Sequence, residues 1–82
     1  MNTRYAFAVV GIDGRVVLSR SGHGKILRDY GLERGEVCGG WVSEKGIVTM
    51  HNGTVDDVPP VLYDHVECEL SRLLGQQVRV LS

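Results

Sequence analysis

The run from Tyr5 to Ile12 constrains this chain more than any other segment. Read as a strand, it places Tyr5, Phe7 and Val9 on one face and Ala6, Ala8 and Val10 on the other. Both faces are apolar. Such a strand is covered on both sides, or lies centrally with its small residues against a helix. Asp13-Gly14 separates it from Arg15 to Leu18. Asp-Gly suits the left-handed positions of a type I′ turn, so the spacing predicts a tight antiparallel hairpin.

Beyond the hairpin the pattern alternates between loops, short strands and helices. Ser19 to Lys25 reads as a polar, glycine-bearing loop, and Lys25 to Tyr30 as a short helix that Gly31 can end. Gly35 could close a frayed extension of it. Val37 to Ser43 and Ile47 to His51 read as a second strand pair, with Gly46 in the left-handed position of the three-residue link Glu44-Lys45-Gly46. Gly39-Gly40 interrupts the first of these strands, marking a bulge or a close approach by another backbone or a ligand. Asn52-Gly53 offers a further turn, after which Thr54-Val55 can fold back.

The strongest helical pattern starts after Asp56-Asp57, where either aspartate can cap the first turn and Pro59-Pro60 can sit inside it. Leu62, Val66, Leu70 and Leu73 form the expected core stripe, flanked by Tyr63 and Leu74, with Asp64, Glu67 and Ser71 facing away and Gly75 as the stop. Cys68 lies beside that stripe, where a free cysteine is usually a small core residue. Gln77 to Leu81 then alternates like a last strand. The predicted fold is therefore α+β, in the order β-β-short α-β-β-α-β within one domain over residues 1–82. Its sheet holds four or five mostly antiparallel strands, with the helix of residues 58–74 across one face. Leu62, Val66, Leu70 and Leu73 are expected against Phe7, Val9, Val17 and Val48.

At 82 residues there is one thin core and little room for an enclosed catalytic pocket. A net charge of −1 carries no overall basic excess of the kind a nucleic-acid coat shows. The longest apolar stretch, Ala6 to Val10, is far below the roughly 20 residues that span a bilayer. A lone Arg4 before so short a stretch is no secretory leader, and two cysteines make no disulfide scaffold. A cytoplasmic domain without a cofactor is expected.

Several side-chain groups carry possible chemistry. Ser21-Gly22-His23-Gly24-Lys25 has the look of a phosphate loop, but Ser19 and Ile26 stand where a Walker motif needs Gly and Ser or Thr. Four Lys/Arg lie between Arg15 and Arg28, whereas Asp56 to Glu69 holds five Asp/Glu and no Lys/Arg. Arg20, His23, Lys25 and Arg28, near Tyr30 or Trp41, are thus the candidate anion or nucleic-acid site. His23, Cys38, His51, His65 and Cys68 can each ligate metal, but their spacing matches no zinc motif. Cys38 with His51 or His65 is raw material for a thiol nucleophile.

The leading expectation is a non-enzymatic protein-binding domain, an inhibitor or adaptor that covers a partner's surface. By size alone it is comparable with phage and mobile-element inhibitors of host defence, such as anti-CRISPR-type proteins. Asp57, Asp64, Glu67 and Glu69 would meet a basic partner surface, and Trp41 would be an interface anchor on an edge strand. A homodimer is also expected, joined near Trp41 or along the terminal strand.

Overall fold

The computed structural model describes residues 4–50 and 55–80. Strands β1 (Arg4–Val10) and β2 (Arg15–Ser19) form the first hairpin, followed by helix α1 (His23–Tyr30) and a short 3-10 turn, Arg34–Glu36. Strands β3 (Cys38–Ser43) and β4 (Ile47–Thr49) follow, then the 3-10 turn Pro60–Leu62, helix α2 (Tyr63–Leu74) and strand β5 (Arg79–Val80). The sheet order is β2-β1-β3-β4-β5. All neighbours are antiparallel except β4 and β5, because α2 carries the chain back before β5 joins the edge. The α+β class and its element order are those the sequence predicts.

Both faces of β1 are covered. Phe7 and Val9 join Val16, Val42, Val48, Val58 and Val78 under Val66 and Leu70 of α2. Ala6, Ala8 and Val10 pack with Ile26 of α1 and with Val37 and Val55 on the opposite side. Small alanines let α1 come close to the sheet, whereas the larger Phe7 fills the deeper α2 side. Gly39 and Gly40 answer to the same economy of space. A Cβ on Gly39 would strike the Phe7 backbone, and one on Gly40 the Thr49 backbone.

Several expectations change. Val10 pairs with Arg15, so the hairpin link is the four residues Gly11 to Gly14 rather than a two-residue Asp-Gly turn. Ile12 leaves the strand for its exposed tip. Val17 faces the α1 side, and Val16 takes its place against α2, because the register sets Val9 opposite Val16. Helix α1 starts at His23, two residues earlier than expected.

The α2 stripe follows the expectation through Leu70 and departs from it only at Leu73. Val66 and Leu70 are buried and Leu62, Tyr63 and Leu74 half-buried against them, but Leu73 is 41% exposed. Cys68 is also exposed rather than packed in the core. No side chain caps the N-terminus of the turn or of α2, so Asp56 and Asp57 do not play that part. Instead, Asp56 bridges to Cys38 at the start of β3. Gly46 does hold the left-handed conformation, φ 81°, where its Cβ would otherwise meet the Gln77 carbonyl. The turn expected at Asn52-Gly53, with Thr54 and His51, lies outside the described residues.

Candidate functional site

Among the described residues, helix α1 covers the β1–β2 half of its side of the sheet and no element covers the β3–β4 half. Alternation along the strands decides what shows there. Val42 and Val48 turn to the α2 core, so Trp41, Ser43, Ile47 and Thr49 turn to the open side. With Arg4, Glu44 and Lys45 they line a shallow cleft of about 430 Å³.

Trp41 is the centre of this cleft, and it is held from two directions. The Arg4 guanidinium lies over its ring, 4.4 Å from the centroid. The His23 ring meets it edge-on, with centroids 5.1 Å apart and planes at 81°. His23 is itself only 2% exposed. Its Nε2 lies 2.9 Å from the Gly40 carbonyl and 3.2 Å from that of Phe7. Carbonyls only accept, so Nε2 carries the proton and donates to both. The buried Nδ1 has no hydrogen-bond partner. Trp41 thus belongs to the central strand β3, not to a sheet edge, and its indole is seated by contacts within the molecule.

The four residues expected as an anion site do not converge. His23 points into the sheet, Arg20 donates to the Tyr5 hydroxyl at 2.9 Å, and Lys25 pairs with Asp29 at 3.0 Å. Arg28 is exposed on the last turn of α1.

Of the acidic residues, Asp64, Glu67 and Glu69 belong to α2, which covers the sheet face opposite Trp41. Asp57 and Asp64 are exposed. Glu69 pairs with Arg72 at 3.2 Å, and that hydrogen-bonded guanidinium holds its carboxyl below the usual range. Glu67 is half-buried and accepts the Val80 N–H at 2.8 Å, while Ser71 Oγ accepts the Val78 N–H at 3.1 Å. The Arg79 N–H points to Gly46 of the β4 side, so the alternating N–H groups of Val78 and Val80 face the outer edge of β5. A seam there would need donors that Glu67 and Ser71 already hold. These two side chains were expected to face away from the core; they turn instead onto the sheet edge.

No group of three or more His, Cys, Asp or Glu among the described residues is placed to hold a metal. His65 donates to the Gly14 carbonyl at 2.7 Å, which ties α2 to the hairpin, and His51 lies outside the described residues. Burial pushes the Cys38 thiol above its ordinary value, with Asp56 adding to the rise, so its surroundings disfavour the thiolate a nucleophile needs. Among the described residues, no helix is long and apolar enough to cross a membrane.

Sequence reasoning singled out Trp41 but missed Arg4, Lys45, Ile47 and Thr49 beside it. Strand alternation groups Trp41 with Ser43, and Ile47 with Thr49. Only the register joins the pairs, by setting Trp41 opposite Thr49 and Ala6 opposite Trp41. No protein-family model, curated protein or solved structure matches the chain.

Proposed function

We propose that this is a non-enzymatic domain that binds a partner protein through the open half of its sheet, covering that partner's surface as an inhibitor or adaptor does. The observation that carries the reading is the Arg4–Trp41 stack set in a cleft on a sheet face that no other described element covers. Trp and Arg dominate the energetics of protein interfaces, and side chains already held in place lose little entropy on binding. The acidic face supports a docking role less well, since Glu67 and Glu69 are engaged within the molecule. Free Cys38 and Cys68 suit the reducing cytoplasm.

Affinity capture from the source cell, read by mass spectrometry, tests this. The wild type, Arg4→Ala, Trp41→Ala and Asp64→Lys serve as baits after circular dichroism confirms their folding. Partner protein recovered by the wild type and by Asp64→Lys, and lost with Arg4→Ala and Trp41→Ala, is the expected result. Equal recovery by all four baits, or capture only of nucleic acid that nuclease removes, would refute it.

A further inference from the structure

The open face carries cations that no carboxylate among the described residues pairs with. Lys25 is paired with Asp29, Arg72 with Glu69, and Arg20 with the Tyr5 hydroxyl. Among the described residues, Arg4 has no partner but the Trp41 ring, and Lys45 forms no side-chain hydrogen bond or ion pair. Arg79 is the register partner of Ile47 on the neighbouring strand, and it is exposed. Against these cations the cleft holds one carboxylate, Glu44. The face is therefore locally basic although the chain as a whole has a charge of −1.

From this, and resting on the protein-binding reading above, we infer that the occupant of the cleft is an acidic segment of the partner. Its carboxylates engage Arg4 and Lys45, and an apolar side chain lies over Ile47 beside Trp41. Stacking on the indole fixes the guanidinium plane while leaving its N–H edge available, and a planar fork of donors matches a carboxylate. Such charge complementarity mainly speeds association and selects the partner. A nucleic-acid strand fits less well. Arg4 already occupies the Trp41 face on which a base would stack, and the cations border one cleft rather than a track along a backbone.

Trp41 is the sole tryptophan, so its fluorescence reports on the cleft directly. The probe is a short blocked peptide rich in Asp and Glu with one Leu. Its Asn/Gln counterpart and oligothymidylate of equal length are the comparisons. The acidic peptide should give a saturable change that weakens as salt rises. Affinity should fall about tenfold or more for the Asn/Gln peptide, and likewise for the double variant Arg4→Gln/Lys45→Gln, as expected when a charge-assisted hydrogen bond is lost. No saturable change, or equal affinity in the double variant, overturns the inference. Tighter binding of oligothymidylate overturns both it and the protein-binding reading. In the capture experiment, partner recovery lost with Trp41→Ala but kept by Arg4→Gln/Lys45→Gln sinks the acidic occupant alone.

Discussion

Truncating His23 to alanine removes the one side chain that joins α1, two strand carbonyls and Trp41. The shared Nε2–H bond contributes about 1 kcal/mol, and the cavity left by a buried ring typically costs ~3 kcal/mol. Against this, the wild type leaves Nδ1 buried without a partner, a penalty of about 1–3 kcal/mol that the variant no longer incurs. The net expectation is a loss of about 2 kcal/mol, equivalent to a fall in Tm of roughly 8–16 °C for a domain of this size. Urea unfolding followed by circular dichroism measures it, and the Trp41 emission of the folded variant should shift to the red as the indole loosens. His23→Phe separates the contributions. It fills the site with a slightly larger ring and keeps an aromatic edge toward Trp41 while deleting the donor and the orphaned nitrogen together, so it opens no cavity and should cost less than the alanine variant, about 1 kcal/mol. A loss below about 0.5 kcal/mol for His23→Ala, or equal losses for the two variants, would refute this account of the His23 seat.

The remaining predictions concern packing, the sheet edge and the thiol. Leu70→Ala should cost about 2–5 kcal/mol in the same assay, since Leu70 is fully buried, whereas Leu73→Ala should stay within about 1 kcal/mol. The double variant Glu67→Ala/Ser71→Ala uncovers the outer N–H groups of β5 and should associate with rising concentration in sedimentation, while the wild type stays at 9.0 kDa. A concentration-dependent wild type would place a dimer seam elsewhere and remove the guard role of these two residues. For Cys38, folding raises the thiol above its ordinary 9.0, so the native state keeps its proton to higher pH than the unfolded chain. Its contribution to stability is therefore intact below that value and declines as pH climbs past it. In Cys68→Ser protein, the iodoacetamide rate of native Cys38 should reach half its plateau at a higher pH than in urea; coincident profiles would contradict the burial effect.

Local pattern determined much of this molecule. Two-sided apolarity of residues 5–10 demanded cover on both faces of β1, and Ala6 and Ala8 indeed admit α1 where Phe7 meets α2. Gly31, Gly46 and Gly75 marked the ends of two helices and a hairpin turn because their positions need left-handed backbone. What the pattern could not supply was end packing and register. The stripe of α2 holds at Leu62, Val66 and Leu70, but the packing of its last turn leaves Leu73 41% exposed, which helical spacing alone does not decide. The pairing of β1 with β3 made Trp41 central instead of peripheral and set Arg4 over its ring. Likewise Glu67 and Ser71, polar positions on a solvent-facing flank by sequence, found backbone donors on β5. Spacing along a chain reports which residues share a face of one element; which element that face meets is decided only when distant strands pair, because those contacts join residues with no sequence relation to one another.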